Sequence, residues 1–145
     1  MESEHYYEVE VNWEADRKGK LSSTVLNETI EVATPPQFPK GMEGIWSPEH
    51  LFVAAVNSCI MTTFLAVAEN SNLAFEKFSS KACGKLEMVE SKYMISEITL
   101  KPIITITDKA NEEKAIRILK KLESNCLISN SIKTKIIFKS DIKIK

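Results

Sequence analysis

Two of the three cysteines in this chain of 145 residues have the types of surroundings and the spacing for thiol chemistry. Cys59 interrupts the apolar run SPEHLFVAAVNSCIMTTFLAVAEN at 47–70, and Cys126 ends a second, amphipathic run 67 positions later. If both runs are helices, the two thiols lie on inward faces and could meet at a helix contact. Such a pair suits a thiol that attacks as its thiolate and a second thiol that resolves the oxidised product.

A packing role is the alternative for each of these thiols taken separately, because cysteine is among the most often buried residue types. Cys59, however, follows Asn57 and Ser58, which are poor choices for a purely apolar wall. We therefore interpret that stretch of the helix as a polar, reactive centre. Cys83 falls on the opposite parity from Ala82 in an alternating run, so we expect it to be at least partly exposed and outside the pair.

Other chemistries have weaker support in the sequence. No CxxC, HExxH, GxxxxGK[ST] or GxGxxG occurs, so we expect neither a metal nor an organic cofactor. A cysteine-nucleophile hydrolase would need an imidazole beside Cys59. His50 lies about 13 Å away along a straight helix, so only His50 of the partner subunit could supply it. A third class is a non-enzymatic protein that binds a small ligand in an apolar pocket.

Two helices are well marked in the sequence. Ser47 suits the N-cap, Pro48 the first helical position and Glu49 the positive end of a helix over 48–70. Apolar residues occur all round this helix, so we expect it to be enclosed on nearly every side. The run 108–125, opened by Asp108, predicts a second helix with one apolar stripe. That stripe consists of Ala115, Ile118, Leu119, Leu122 and Cys126.

Alternating patterns predict the strands. The run 5–13 indicates a half-buried strand, and short strands follow at 20–25 and 28–34. Two long strands are predicted at 75–89 and 92–107, with Pro102 suggesting an edge or a bulge, and a last strand at 132–139. The half-buried face of the first strand would carry Tyr7, Val9, Val11 and Trp13. The order β-β-β-α-β-β-α-β predicts an α+β fold in one domain, 1–145.

The loop between the third strand and the first helix is proline-rich but apolar. It reads PPQFPKGMEGIW, and we expect a structured loop because it is too apolar for a linker. Phe38, Ile45 and Trp46 are the predicted wall of a pocket for a greasy substrate.

Composition bounds the partners and the compartment. The net charge of −1 gives no support for a nucleic-acid partner or an anionic membrane. The acidic, alternating start of the chain has no signal-peptide pattern, which with three cysteines predicts a cytoplasmic protein. Polar residues inside 47–70 favour a core helix over a membrane span. Only Arg17 and Arg117 are arginines among 19 basic residues, which suggests a use for the guanidinium fork.

These features together resemble the OsmC/Ohr family, the osmotically inducible protein C and organic hydroperoxide resistance proteins. The resemblance rests on a tryptophan in the first strand, the nearby Arg17, SPEHLFVAAVNSC and ESNCLISNS, and it covers nearly the whole chain. It implies an OsmC-like fold: an antiparallel sheet packed against two long helices, with the central helix buried in an intertwined homodimer.

The resemblance also implies a cysteine-based peroxidase that reduces organic hydroperoxides. Cys59 falls on the peroxidatic position, Cys126 on the resolving position, Glu49 on the family's conserved acid and Arg17 on its active-site arginine. An external dithiol, such as a lipoylated protein, would reduce the disulfide. Leu127 stands where many family members have proline.

The spacing of Glu49 and Cys59 adds an expectation about assembly. Ten residues of a straight helix rise about 15 Å, and no Gly or Pro lies between the two positions to kink it. We therefore expect a two-fold dimer in which each site takes the thiols from one subunit and the arginine–glutamate pair from the other.

Overall fold

The computed structural model of the protein describes residues 3–145 and has the expected α+β composition, with seven strands and two α-helices in that range. The chain divides into two compact units, Met1–Leu51 and Phe52–Lys145, which we describe in turn. The helix α1 begins in the first unit and continues through the second. The prediction of a single domain over 1–145 stays a prediction. The elements are β1 Glu10–Ala15, β2 Lys18–Ser22, β3 Ile30–Ala33, α1 Pro48–Asn70, β4 Lys77–Val89, β5 Lys92–Ile106, α2 Glu112–Asn125, β6 Lys135–Phe138 and β7 Asp141–Ile144.

The first unit is built on an antiparallel sheet in the order β1-β2-β3. The predicted half-buried strand is wrong in two respects: β1 begins only at Glu10, and its apolar side chains are exposed. Val11 and Trp13 are 59% and 76% exposed, because within residues 3–51 no second layer covers that face of the sheet. An apolar face of this kind on a sheet commonly marks an interaction surface.

The proline-rich loop is ordered by its own backbone, as predicted. The amide of Gly41 donates to the carbonyl of Phe38 at 2.9 Å, and the amide of Met42 donates to Thr34 at 2.9 Å. A Cβ at Gly41 would collide with the carbonyl oxygen of Pro35. The fold of this loop therefore depends on the missing side chain of Gly41.

The sheet of the second unit is mixed. The long strands β4 and β5 pair antiparallel, and β6 and β7 both pair parallel with β5. Sequence patterns identified β6 within the predicted strand at 132–139 but missed β7, a strand of only four residues. Short runs of this length carry too few alternations to separate a strand from a loop.

Pro102 lies in the central strand β5, in regular register opposite Ser80 of β4, and so at neither the edge nor the bulge that we predicted. The reason is the change of partner on the other side of β5. Residues 97–100 pair with β6 and residues 103–106 pair with β7, so neither strand pairs with 101–102. A residue without an N–H is tolerated where the ladder is interrupted.

Both helices contribute to the core of this unit. The C-terminal half of α1 packs with β5 and with α2, whose predicted stripe is buried as expected. A second cluster joins the middle of α1 and β5 to Cys126. The first cluster includes Phe64, Ala68, Ile104, Ile106, Ala115, Ile118, Leu119 and Leu122, and the second includes Val56, Ile60, Ile98, Leu100 and Cys126.

Helix α1 has the predicted bounds but not the predicted enclosure. Its buried residues, Val56, Ile60, Phe64 and Ala68, form one stripe at a spacing of four. Met61 and Leu65, on another face, are 41% and 44% exposed. The helix is long and apolar enough to cross a membrane, with a mean hydropathy of 2.0, a property that core helices of soluble proteins share. The described chain covers only one face of this apolar helix, so the other faces leave apolar surface exposed that could contact a partner.

Candidate thiol site

The fold brings Cys59 and Cys126 together inside the second unit. Cys59 lies near the middle of α1, and Cys126 is the residue that caps the C-terminal end of α2. Both residues belong to one apolar cluster, and a hydrogen bond from the Cys126 side chain helps to lower the pKa of the Cys59 thiol. Cys126 is only 1% exposed, whereas Cys59 is half-buried and packs against the same apolar cluster. One thiol is therefore more accessible, and the other lies behind it.

The chain turns sharply after Cys126, and this turn faces the Cys59 sulfur. The carbonyl oxygen of Cys126 accepts two hydrogen bonds, from the amide of Asn130 at 3.1 Å and from Oγ of Ser129 at 3.1 Å. The backbone amides of Leu127 and Ile128 are directed the other way, and hydrogen bonds from them lower the pKa of the Cys59 thiol. A short 3-10 turn, Ser129–Ser131, follows.

The pKa of the Cys59 thiol is lowered from its ordinary value by a balance of opposed effects. Burial is the largest influence and raises the pKa, because it disfavours the thiolate. The amide of Ile128, the side chains of Cys126 and Thr63 and the amide of Leu127 act in the opposite direction through hydrogen bonds. Their combined effect exceeds that of burial, so the pKa falls. A lowered pKa increases the fraction of Cys59 that is present as thiolate, and the thiolate is the nucleophilic form of cysteine.

Asn57 and Ser58 have structural roles in the described contacts and do not form the polar centre we inferred from the sequence. Nδ2 of Asn57 donates to the carbonyl oxygen of Ser80 at 3.0 Å, which ties α1 to β4. Oγ of Ser58 donates to the carbonyl oxygen of Ala54, one turn back in the helix, at 2.7 Å. The polar contacts of the Cys59 sulfur come instead from Thr63 and from the turn after α2.

Arg17 lies in the first unit, in the β1–β2 turn. Its side chain is exposed and lines a cavity of about 500 Å³ with Asp16, Lys40 and Met42. Two of these residues, Asp16 and Lys40, have positive φ angles of 51° and 63°. Side chains other than glycine adopt this conformation at a cost, and such residues often cluster at functional positions.

Glu49 occupies the first turn of α1, as predicted from the sequence. Its Oε1 atom is buried and has no hydrogen-bond partner among residues 3–145. The neighbouring His50 has a partner: its Nδ1 lies 2.7 Å from Oγ of Ser47, whose oxygen also caps the helix by accepting from the amide of His50 at 3.1 Å. Within residues 3–145, Oε1 of Glu49 is therefore a buried acceptor without a hydrogen-bond donor.

All three predicted pocket residues lie in the first unit, and two of them line the same cavity. Ile45 and Trp46 line a cavity of about 310 Å³, together with residues of β3 and the residue before it, and Phe38 is not in that lining. Trp46 forms a bridge with Val32 of β3. Within this unit, the cavity at Arg17 and the one at Trp46 have different linings.

Cys83 is exposed on β4, as expected, and is a free thiol like the other two cysteines. Among residues 3–145 there is no group of three or more metal-ligating side chains.

The sequence missed three contributors to the site: Thr63, Leu127 and Ile128. Thr63 could have been found, because residues four apart on a helix share a face and Thr63 follows Cys59 by four. The two others act through backbone amides, which no side-chain pattern reveals.

Comparisons with known proteins agree with this fold. Residues 41–141 match the family described as OsmC-like protein, which is more than two thirds of the chain. The chain belongs to the OsmC-like family. This OsmC-like protein is 23% identical over 151 residues to the uncharacterized protein YmaD of Bacillus subtilis (strain 168), covering 99% of this chain and 97% of that one.

Two solved structures have the same fold. An OsmC-like protein of unknown function from Vibrio cholerae O1 biovar eltor superposes with a TM-score of 0.83 at 22% identity, covering 94% of this chain and 99% of that chain. An organic hydroperoxide resistance protein OsmC from Legionella pneumophila gives a TM-score of 0.71 at 21% identity, covering 97% and 100%. Membership of this family points to a redox or peroxide-stress protein, and OsmC-like proteins are typically soluble.

Proposed function

We propose that this OsmC-like protein is a thiol peroxidase that reduces organic hydroperoxides with Cys59 and Cys126. The observation that carries the proposal is the packing of the two thiols in one apolar cluster, where hydrogen bonds lower the pKa of Cys59. A buried cysteine with a packing role needs no second thiol and no amides directed at its sulfur. A half-buried thiol with a resolving thiol behind it is the arrangement that a two-cysteine redox cycle requires.

The chemistry has three steps. The Cys59 thiolate attacks the outer oxygen of the hydroperoxide, the O–O bond breaks, and a proton from solvent converts the alkoxide into an alcohol. This leaves a sulfenic acid at Cys59. The Cys126 thiol then attacks that sulfur, which forms the disulfide and releases water. A dithiol reductant, such as a lipoylated protein, then reduces the disulfide by thiol–disulfide exchange. Both cysteines return to thiols, and the reductant becomes a disulfide.

Each site also needs a charge at the breaking O–O bond, and we assign it to Arg17 held by Glu49. A guanidinium is permanently charged and can pair with a carboxylate through two parallel hydrogen bonds. The unpartnered, buried Oε1 of Glu49 supports this assignment, because a buried carboxylate oxygen without a partner is costly. The apolar substrate wall in this proposal is formed by Phe38, Ile45 and Trp46.

The proposed assembly is a two-fold homodimer that places Arg17 and Glu49 of the partner subunit beside Cys59. Helix α1 is continuous from Pro48 to Asn70, and over ten residues it rises about 15 Å. The open apolar side chains of α1 and the bare face of β1 are surfaces that such a dimer would cover. The proposed setting is the cytoplasm, without nucleic-acid or membrane partners.

Thiol titration tests the function directly. The reduced protein is treated with one equivalent of cumene hydroperoxide, and its free thiols are counted before and after. We expect the loss of two thiols, Cys59 and Cys126, and their return with a dithiol such as dihydrolipoamide. The Cys83→Ser variant is the matched control, because it removes the exposed thiol and leaves the pair intact.

Other outcomes identify the competing functions. If the Cys83→Ser protein loses no thiols, this OsmC-like protein is not a peroxidase for that class of substrate, and ligand binding or hydrolysis becomes the better explanation. Loss of one thiol without a disulfide would contradict the resolving role of Cys126. Mass spectrometry of the digested protein separates these cases, because a disulfide links the peptide of Cys59 to the peptide of Cys126.

A further inference from the structure

The turn that follows α2 is built so that its amides, and not its carbonyls, face the Cys59 sulfur. Each of its first three carbonyl oxygens is already engaged. That of Cys126 accepts from Asn130 and Ser129, that of Leu127 accepts from Oγ of Ser131 at 3.2 Å, and that of Ile128 accepts from the amide of Ser131 at 2.9 Å. With the carbonyls held on one side, the amides of Leu127 and Ile128 point the other way. Ile128 packs against the cluster that holds Cys59 and Cys126, and hydrogen bonds from both amides lower the pKa of the Cys59 thiol.

Charged side chains are missing from the two segments that meet at this sulfur. The sequence contains no charged residue in 52–68 of α1 and none in 124–132 of the turn. Near the end of α2 the charged residues Lys120, Lys121 and Glu123 are exposed. The titratable group that hydrogen-bonds to the sulfur is the Cys126 thiol. Within this unit, negative charge at Cys59 is therefore stabilised by the dipoles of two consecutive backbone amides and a hydroxyl group, and not by a charged side chain.

We propose that the amides of Leu127 and Ile128, with the hydroxyl of Thr63, form an anion hole for the sulfur of Cys59. This inference rests on the proposed function in taking Cys59 as the attacking thiol. The hole stabilises the thiolate before attack. Preorganised donors of this kind need no rearrangement when the charge is present, which is why they are effective in sites shielded from water.

The identity of residue 127 decides whether the hole has both amides. Proline has no backbone N–H, so a proline at this position would remove one of the two donors. Leu127 itself is 70% exposed, and its side chain is not buried in the core. In this chain the useful part of Leu127 is its N–H.

The Leu127→Pro variant tests this inference with little disturbance to the turn. Cys126 has φ −74° and ψ 115°, an extended conformation that suits a residue before proline. Within the described turn, the carbonyl of Leu127 accepts a hydrogen bond from Oγ of Ser131, and its amide donates to no group of the turn. Leu127→Ala is the matched control, because it removes the same side chain and keeps the N–H.

The measurement is the rate of alkylation of Cys59 by iodoacetamide as a function of pH, in a Cys83→Ser background with peptide mapping. We expect Leu127→Pro to slow alkylation at neutral pH about tenfold, the effect of losing one hydrogen bond to a charged group, with Leu127→Ala close to the parent. Thr63→Val should slow it as well, and Thr63→Ser should restore it. Equal rates in Leu127→Pro and the parent, or an equal slowing in Leu127→Ala, would overturn the inference.

A second measurement does not depend on the folding of any proline variant. In ¹H–¹⁵N spectra of the Cys83→Ser protein, the amide signals of Leu127 and Ile128 should shift with pH at the midpoint of Cys59 titration. The shift should disappear in Cys59→Ser and persist in Cys126→Ser. If the chemical shifts of these two amides do not change as Cys59 titrates, the anion hole is refuted. Neither experiment uses a peroxide, so a failure of the peroxidase proposal and a failure of the anion hole give different results.

Discussion

Cys126, buried at the C-terminal cap of α2, packs in the same apolar cluster as Cys59 in the middle of α1, and its side chain lowers the pKa of the Cys59 thiol through a hydrogen bond. The two residues are 67 positions apart in sequence, and each helix carries its thiol to the same apolar cluster against β5. This contact gives the two thiols different surroundings, since Cys59 is half-buried and Cys126 is 1% exposed. The difference predicts different consequences for the two serine variants.

Cys59→Ser is expected to abolish peroxide reduction, because serine at this position is not a nucleophile toward the O–O bond. Cys126→Ser is expected to allow one turnover, after which the sulfenic acid at Cys59 is oxidised further to sulfinic acid. Single-turnover kinetics with dihydrolipoamide and mass spectrometry of the Cys59 peptide measure both effects. Full multiple-turnover activity in either variant would contradict the assignment of roles.

The lowered pKa of Cys59 predicts a pH dependence of stability. Between the folded and unfolded pKa values of this thiol, the unfolded chain binds more protons than the folded chain, so stability rises with pH in that window. The contribution is fully present above the unfolded pKa and is lost as pH falls through the folded pKa. Denaturant midpoints of the parent and of Cys59→Ser, measured under reducing conditions, should diverge with increasing pH, the parent gaining more. Parallel curves would show that the folded thiol titrates normally.

Arg17→Lys is expected to impair the protein although it keeps the charge. Lysine loses the planar fork that could engage Glu49 and the Cys59 sulfur together. We expect the pH profile of Cys59 alkylation to move toward that of an ordinary thiol, with slower peroxide reduction. An unchanged profile would leave Arg17 as an exposed residue of the β1–β2 turn.

Subunit complementation tests the composite site. Cys59→Ser protein and Glu49→Ala protein, each inactive alone, are mixed under conditions that exchange subunits. If each site takes Glu49 from one subunit and Cys59 from the other, one site of every heterodimer carries both lesions and the other carries neither. Peroxidase activity should then partly return. A verified heterodimer without activity would place Glu49 and Cys59 of one chain in the same site.

Gly84 provides a prediction about stability. A Cβ at this position would lie 2.5 Å from Cγ2 of Val53, so β4 can approach α1 closely only because Gly84 has no side chain. Gly84→Ala should lower the free energy of unfolding by about 1–3 kcal/mol, the usual effect of overpacking. Denaturant unfolding measures the change. Because Val53→Ala removes the clashing methyl, the double variant should be more stable than additivity predicts, and strict additivity would contradict the contact.

The sequence by itself determined both helices, the strands other than β7 and several of the buried faces. The bounds of α1 followed from Ser47, Pro48 and the apolar run, because helix caps and periodicity are local properties. The buried stripe of α2 and the inward position of Cys126 followed from a spacing of three and four residues. A family resemblance then implied the fold that the structure has.

Tertiary structure decided the rest, for reasons that no local pattern contains. Pro102 is accommodated in the central strand β5 because the pairing partner of β5 changes from β6 to β7 at this point. This arrangement depends on how three strands pair. Asn57 was misread because its partner, the carbonyl of Ser80, is 23 residues away on β4. The amides of Leu127 and Ile128 reach Cys59 only because the carbonyls of the turn are engaged elsewhere. A sequence records side chains, whereas this part of the site is made by the direction of the backbone.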